Sequence, residues 1–209
     1  MKILIADDHE VVREGLRQIV KKQNPSTDIE EASTGDETLN KIENNRYDLV
    51  IMDISMPGKT GLDILQILKD RNEMIPVLVL SIHAEEQYAV RVLKLGASGY
   101  LCKSSLYKEL AVAINTIIAG GRYITTSLAE KILFDRKDGL SLLPHEKLSP
   151  REFQVMSMLA RGKSVNEIAD DLFISNKTVS THRTRILSKM GMEKNAELTN
   201  YAIKNNLIE

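Results

Sequence analysis

Five polar side chains each follow the end of a short apolar run: Asp7, Asp8, Asp53, Ser81 and Lys103. Apolar runs bounded by polar residues are typical of strands that are buried on both faces of a parallel sheet. Because the carboxyl ends of parallel strands meet at one edge, we expect these side chains to lie together. Three clustered carboxylates raise each other's pKa, and a divalent cation such as Mg²⁺ relieves that repulsion. The ammonium can pair with a phosphoryl oxygen, and Asp53 can act as a nucleophile that forms an acyl phosphate.

The elements that would hold these residues alternate between strand and helix patterns five times in residues 1–120. The central run, Leu49–Met52, stops at Asp53, and a helical pattern begins at Gly61 after a turn at Met56-Pro57-Gly58. This alternation predicts a parallel sheet covered by helices on both faces. Right-handed crossovers favour a doubly wound, flavodoxin-like (βα)5 fold of the α/β class, with strand order 2-1-3-4-5.

Length and composition indicate two domains and no membrane segment. The chain has 209 residues, 43% of them apolar, and it holds no stretch of 18 apolar residues; a helix that spans a membrane needs about 20. The single cysteine, Cys102, cannot form an intramolecular disulfide, which fits a cytoplasmic location. The net charge of −1 is uneven, at −4 over residues 1–120 and +2 over residues 145–209. The C-terminal part is therefore the candidate for contact with a polyanion.

The C-terminal part carries the start signals of four short helices. Ser149 to Glu152 and Ser164 to Glu167 form capping boxes, Ser175 caps a third helix and Asn195 begins a fourth. Two short helices joined by about three residues form a helix-turn-helix, whose second helix lies in the DNA major groove. We therefore predict an all-α, four-helix helix-turn-helix domain.

The third of these helices has the composition of a DNA-contacting element. Residues 175–194 contain five Lys or Arg residues against one Glu, a net charge of +4 in 20 residues. Basic groups and hydroxyls suit phosphates and base edges, although a solvated charged helix is the alternative. The candidate contacts are Lys177, Thr178, Ser180, Thr181, Arg183, Thr184, Arg185 and Lys189.

The polar residues of the first domain, in this order and at these intervals, resemble the receiver domain of a bacterial two-component response regulator. The matching positions are Asp7-Asp8, Asp53 with Met56-Pro57-Gly58, Ser81 and Lys103. The resemblance covers residues 1–120 and implies that Asp53 accepts a phosphoryl group. It also implies an Mg²⁺ (or Mn²⁺) site formed by Asp8, Asp53, the backbone carbonyl of Ser55 and, through a water, Asp7.

The same resemblance implies a switch at the phosphorylation site. Ser81 and Lys103 would bind phosphoryl oxygens, and Tyr100 would turn into the space that Ser81 leaves as it moves towards the added dianion. Many receivers carry a proline, often after a cis bond, where this chain has Ser104. A cis bond before a residue other than proline costs roughly 3 kcal/mol, so the geometry of this loop is left open.

The C-terminal motifs resemble the LuxR-type DNA-binding domain. They are Leu148–Glu152, Gly162–Ala169, and Lys177–His182 with Lys189-Met190-Gly191. Together with the receiver motifs they identify the chain as a NarL/FixJ-family response regulator by resemblance. The family usually has a basic residue directly after Thr-Val, where Ser180 stands here, which favours Arg183 and Thr184 as base contacts. The fourth helix, through Leu198, Tyr201 and Ala202, is either the dimer face or part of the core.

We expect a receiver domain over residues 1–120, a partly helical linker over residues 121–146 and a DNA-binding domain over residues 147–209. The expected function is a transcription factor that is phosphorylated at Asp53 by a sensor histidine kinase, dimerises and binds promoter double-stranded DNA, with RNA polymerase as a further partner. An aspartate-nucleophile phosphatase is the rival, but such enzymes need a general-acid Asp where Ser55 stands. A phosphate-independent regulator with a vestigial acidic site is the other alternative.

Overall fold

A computed structural model of the chain describes residues 1–81, 85–125, 129, 143–205 and 207–208. It divides into two compact units, Met1–Asp138 and Gly139–Glu209. Of the partly helical linker predicted over residues 121–146, residues 126–128 and 130–142 lie outside the described residues. Within the described part, no helix has the length and apolar character that crossing a membrane requires.

The first unit is a five-stranded parallel sheet with strand order β2-β1-β3-β4-β5, as predicted. Its elements are β1 (Lys2–Ala6), α1 (Glu10–Gln23), β2 (Asp28–Ala32), α2 (Gly35–Asn44), β3 (Leu49–Asp53), α3 (Gly61–Asp70), β4 (Val77–Ser81), α4 (Glu85–Lys94), β5 (Gly99–Cys102) and α5 (Leu106–Ile118). A single 3₁₀ turn, Lys103–Ser105, joins β5 to α5. The central strand β3 is buried along its whole length, because helices cover both faces of the sheet.

Strand register fixes which side chains meet at the carboxyl edge. Ala6 of β1 pairs with Met52 of β3, so the residues that follow, Asp7 and Asp53, leave the sheet side by side. On the other flank of β3, Asp53 pairs with Leu80 of β4. One face of the sheet packs on α1 and α5 through a core that includes Leu16, Val20, Leu110, Ala113 and Ile114.

In its described residues, the second unit contains four helices, as predicted. They are α6 (Pro150–Ala160), α7 (Val165–Asp171), α8 (Asn176–Met190) and α9 (Asn195–Lys204), preceded by a 3₁₀ turn at Pro144–Lys147. Both predicted capping boxes are formed: the Ser149 hydroxyl accepts the Glu152 amide, and Ser164 does the same for Glu167. α8 ends at Gly191, whose φ of 67° is the left-handed conformation that favours glycine.

Candidate functional site

The predicted residues at the sheet edge form one cluster. Ligand atoms of Asp7, Asp8, His9 and Asp53 all lie within 4.8 Å of one another. Asp7 and Asp53 are buried, whereas Asp8 and His9 are exposed. The cluster therefore has two buried carboxylates, Asp7 and Asp53, and an open rim formed by Asp8 and His9.

Lys103 joins the two buried carboxylates. Its Nζ lies 2.7 Å from Asp7 Oδ2 and 2.8 Å from Asp53 Oδ2. The contact with Asp53 is a hydrogen bond. The Asp7 oxygen has this ion pair but no hydrogen bond in a favourable direction. One ammonium thus offsets part of the charge of two carboxylates that the sheet places side by side.

The surroundings shift the pKa of both partners upward. Burial raises the pKa of Asp53 to about 6, against the opposing effect of the Lys103 charge and hydrogen bond. Burial alone lowers the pKa of Lys103, but the Asp53 and Asp7 carboxylates outweigh it, so the net shift is upward. Lys103 therefore carries its charge at neutral pH, and Asp53 is a basic, desolvated carboxylate.

The remaining predicted oxygen ligand, the Ser55 backbone carbonyl, belongs to the loop after β3. Ser55 is exposed, and its backbone N–H donates to the Asp53 carboxylate. Ile54 is tied to the sheet because its N–H donates to the Leu80 carbonyl at 3.0 Å. The chain next to the phosphoacceptor candidate is therefore anchored to both β3 and β4.

Ser81 and Tyr100 occupy the two strands beyond β3. Ser81 ends β4 and is 1% exposed, while Tyr100 in β5 is completely buried. Tyr100 is thus a core residue of the first unit in this structure. All peptide bonds of the described residues are trans, including the one between Lys103 and Ser104.

Two residues join the cluster without having been predicted to do so. His9 Nδ1 lies 2.8 Å from Asp8 Oδ1 and 3.2 Å from Asp7 Oδ1. The Arg13 guanidinium donates to the Asp7 backbone carbonyl at 2.8 Å and pairs with Glu31. His9 adjoins the acidic pair in sequence, which was a usable signal, but the partners of Arg13 depend on the packing of α1 against β2.

The donor set fits a hard divalent cation. The buried Asp7 Oδ2 without a hydrogen bond, the neighbouring Asp8 and Asp53 carboxylates and the open rim match the oxygen-rich sites of Mg²⁺. His9 is the exception, as a nitrogen ligand is more usual for transition metals. The cluster is therefore a candidate divalent-metal site at a carboxylate that can act as a nucleophile.

In the second unit, α8 presents an exposed polar face. Lys177, Thr178, Ser180, Thr181, Thr184 and Arg185 are exposed. The hydroxyls of Thr181 and Thr184 donate to the carbonyls of Lys177 and Ser180, four residues earlier. The opposite face, which includes Val179, Ile186 and Met190, is buried.

Two of the predicted DNA contacts have partners inside the protein. Arg183 Nε donates to Asn195 Oδ1 at 2.7 Å. Lys189 Nζ lies 2.6 Å from the buried carboxylate of Glu152. Burial by itself raises the pKa of Glu152, but Lys189 and the Ser149 amide and hydroxyl outweigh it and lower the pKa. Lys189 therefore neutralises a buried acid, a role that its sequence position did not reveal.

The predicted dimer face on α9 needs a correction. Leu198 and Ala202 are completely buried within the second unit, where α9 packs against α6. Core packing is therefore the role that the structure gives them. Tyr201 is half-buried, and its hydroxyl lies 2.8 Å from His145 Nδ1. Ile203 is a large apolar side chain of α9 that is exposed, at 55%.

Comparison with known families assigns both units. The response regulator receiver domain matches residues 3–115, which is more than half of the chain. The chain belongs to the response regulators. The luxR family of bacterial regulatory proteins matches residues 146–202, so this response regulator carries a LuxR-type DNA-binding domain. The predicted resemblance to the NarL/FixJ family is confirmed.

Relatives and solved structures support this assignment over the full length. The response regulator UvrY of Escherichia coli (strain K12) is 34% identical, covering 99% of this chain and 95% of UvrY. The oxygen regulatory protein NreC of Staphylococcus aureus (strain JH9) is 36% identical over the whole of both chains. RcsB of Salmonella enterica serovar Typhimurium, bound to the rprA promoter in the presence of phosphomimetic BeF₃⁻, matches with a TM-score of 0.64 at 28% identity and covers 96% of this response regulator and 98% of RcsB.

Proposed function

We propose that Asp53 is the phosphoacceptor of this response regulator and that its phosphorylation promotes dimerisation and promoter binding. The observation that carries the proposal is the position of Asp53, a buried carboxylate at the end of the central strand, 2.8 Å from the Lys103 ammonium. A sensor histidine kinase or a small phosphodonor would supply the phosphoryl group. The chain then acts as a regulator and not as a turnover enzyme.

The transfer is a displacement at phosphorus. An Asp53 oxygen forms a bond to phosphorus as the bond from phosphorus to the imidazole nitrogen of the donor breaks. The imidazole leaves with the electron pair and takes up a proton from solvent. Lys103, freed from Asp53 Oδ2 as that oxygen loses its charge, pairs with a phosphoryl oxygen, and Ser81 donates to another.

The metal site that we propose consists of Asp8, Asp53, the Ser55 backbone carbonyl and, through a water, Asp7. Mg²⁺ (or Mn²⁺) bound there supplies positive charge that offsets the carboxylates and the phosphoryl oxygens. Lys103 offsets part of the repulsion between the two buried carboxylates of this site. His9 contacts Asp7 and Asp8 at the open rim of the site.

The proposed switch links phosphorylation of Asp53 to movements of Ser81 and Tyr100. The added dianion attracts the Ser81 hydroxyl, and the space it leaves accommodates the ring of Tyr100. Tyr100 is completely buried, which is the position that the proposal gives its ring in the phosphorylated state.

DNA binding is proposed to use the exposed face of α8. Lys177 and Arg185 contact phosphates, while Thr178, Ser180, Thr181 and Thr184 face the groove. Arg183 and Lys189 contact Asn195 and Glu152 within the protein. We propose that these contacts hold α8 in place and that both residues also contact DNA. The solved RcsB structures include a DNA complex and two dimers bound to two parallel DNAs, which supports double-stranded promoter DNA and a homodimer as partners here. We propose RNA polymerase as a further partner on the ground of the regulatory function alone.

We further propose a receiver over residues 1–120, a linker over 121–146 and a DNA-binding domain over 147–209, in a cytoplasmic protein. The receiver match over residues 3–115 and the luxR-family match over residues 146–202 support a division into two domains joined by a linker.

The test is a light-scattering measurement of molecular mass with Mg²⁺ and beryllofluoride, alongside the Asp53→Ala variant. We expect a shift from monomer to dimer that requires Mg²⁺ and is absent in the variant. If neither protein shifts and mass spectrometry after incubation with acetyl phosphate finds Asp53 unmodified, the phosphorelay proposal fails while the DNA-binding proposal stands.

A further inference from the structure

The loop that carries the Ser55 carbonyl is fixed at its base by backbone contacts. Gly61 closes it, since its N–H donates to the Ile54 carbonyl at 2.9 Å. A Cβ at Gly61 would lie 2.5 Å from the Asp53 carbonyl oxygen, closer than two such atoms can approach. The segment 54–61 therefore leaves the end of β3 and returns to it, with Ser55 on the outgoing side.

The far side of the loop rests on the first residue of α2. The Gly35 N–H donates to the Pro57 carbonyl at 3.0 Å. The first amides of a helix have no partner within the helix, so this donor is available to the loop. A Cβ at Gly35 would lie only 1.7 Å from the Lys59 carbonyl oxygen and 2.5 Å from the Lys59 carbonyl carbon.

Close approach, and not conformational freedom, is therefore the reason for glycine at this position. Gly35 does not have a positive φ, so an L-residue could adopt its backbone conformation. The obstacle is the backbone of Lys59, which cannot be moved by a change of rotamer. A side chain of any size at residue 35 requires the loop, α2 or both to shift.

We propose that Gly35 is a positioning residue for the metal site, because it sets the place of the loop that presents the Ser55 carbonyl. This inference rests on the proposed function, in which that carbonyl is a ligand. Ser55 lies two residues before Pro57, and its N–H also donates to Asp53. A shift at Pro57 and Lys59 is thus passed to both the carbonyl ligand and the phosphoacceptor.

The side-chain contacts around this junction are secondary. Lys59 forms an ion pair with Asp36, the residue after Gly35, but both side chains are about half exposed. Exposed ion pairs contribute little. Replacing Lys59 by Met should therefore change Mg²⁺ affinity by less than about twofold. This variant distinguishes the effect of the Gly35–Lys59 backbone contact from that of the Lys59–Asp36 ion pair.

The experiment compares Gly35→Ala with Gly15→Ala in the full chain. Gly15 lies exposed within α1, and a Cβ there meets nothing within 4 Å, so the control adds the same methyl group without a clash. Mg²⁺ affinity is measured by titration calorimetry, and the beryllofluoride complex is followed by ¹⁹F NMR. Changes to residues that support a metal ligand typically lower metal affinity by about 10- to 100-fold, so we expect a loss of roughly tenfold or more for Gly35→Ala and none for Gly15→Ala.

A purely structural role for Gly35 would give a different result. In that case Gly35→Ala would lower the urea midpoint of the receiver while the folded protein kept the wild-type Mg²⁺ affinity, and the inference would be overturned. If Gly35→Ala does not fold, Gly58→Ala decides the question. Gly58 has a φ of 76°, a backbone conformation that an L-residue adopts only with strain, so alanine there disturbs the same junction from the loop side.

For Gly58→Ala we expect Mg²⁺ affinity to fall by roughly threefold or more, and an unchanged affinity would overturn the inference. Mg²⁺ and beryllofluoride binding by the wild-type protein distinguishes a failure of this inference from a failure of the proposed function. If the wild-type protein itself binds neither Mg²⁺ nor beryllofluoride, the proposed function fails. If it binds both and the glycine variants bind equally well, the proposed function stands and only the positioning role of Gly35 is lost.

Discussion

At the scale of single residues, Lys103 controls the charge of the acidic site. Its ammonium lies within 2.8 Å of the Asp7 and Asp53 carboxylates, where it repels any metal ion that these oxygens bind. Two like unit charges about 4 Å apart interact by up to about 4 kcal/mol at the effective dielectric of a protein surface. In the proposed site, Lys103 would therefore weaken metal binding where it also pairs with the phosphoryl group.

We predict that Lys103→Gln tightens Mg²⁺ binding and abolishes activation. Removing the ammonium leaves the carboxylates to the metal alone, so the Kd for Mg²⁺ should fall by about fivefold or more, or about 1 kcal/mol. Dimerisation with beryllofluoride should be lost, because the phosphoryl oxygen has no cationic partner. Calorimetry and light scattering measure the two effects. Lys108→Gln, an exposed change on α5, is the control, and weaker Mg²⁺ binding by Lys103→Gln would contradict the prediction.

Lys177 and Lys189 lie on the same helix, but we predict different roles for them. Lys189→Met leaves the buried Glu152 without its ion pair and should destabilise the second unit by about 1–2 kcal/mol. Lys177→Met removes only an exposed charge, so the free energy of unfolding should stay within about 0.5 kcal/mol. In DNA titrations at several salt concentrations, Lys177→Met should reduce the salt slope by about 1. Urea unfolding that is equally affected in both variants would refute the distinction.

At the scale of elements, the ion pair of Glu152 and Lys189 ties the start of α6 to the end of α8. The Glu152 carboxylate also accepts the Ser149 N–H at 2.7 Å, so the same group caps α6. Residue 189 lies in the last turn of α8, where a basic side chain also suits the helix dipole. The orientation of α8 therefore depends on the Glu152 carboxylate, which lies outside this helix.

This ion pair predicts how the second unit responds to acid. The pKa of Glu152 in the folded protein lies below its ordinary value of 4.5, so its contribution is present above pH 4.5 and is lost as the pH falls through the lowered pKa. Glu152→Gln should be less stable than the wild type at pH 7, and the difference should shrink below pH 4.5. The free energy of unfolding measured between pH 3 and pH 7 tests this, and a difference that does not change with pH would exclude it.

The elements of both units could be predicted from the sequence because their signals are local. The run Leu49–Met52 ends at a carboxylate, and the serines at 149 and 164 cap their helices, so strand order, helix number and most of the site followed. The contacts that the sequence did not predict join distant segments. Glu152 and Lys189 are 37 residues apart, and Gly35 meets the loop after β3 only because α2 packs beside it. The choice between dimer face and core was open for Leu198 for the same reason, since its burial depends on α6.

At the scale of the whole molecule, two units with separate cores should respond separately to ligands. The core of the first lies between the sheet and its helices, and that of the second includes Phe153, Ile168, Val179 and Leu198, all completely buried. Mg²⁺ binds only at the sheet edge of the first unit in our proposal. Mass action then stabilises that unit alone, by about 2.7 kcal/mol at an Mg²⁺ concentration 100 times the Kd.

We therefore predict two transitions in urea unfolding of the full chain, of which Mg²⁺ shifts only one. The shift should disappear in Asp53→Ala, since that variant lacks a metal ligand, while Lys189→Met should move only the other transition. Far-ultraviolet circular dichroism follows both units, and hydrogen exchange with mass spectrometry assigns each transition to its residues. A single transition that Mg²⁺ and Lys189→Met both shift would mean that the two units unfold as one. In that case, phosphorylation of the receiver would change the free energy of unfolding of the DNA-binding unit, in addition to promoting dimerisation.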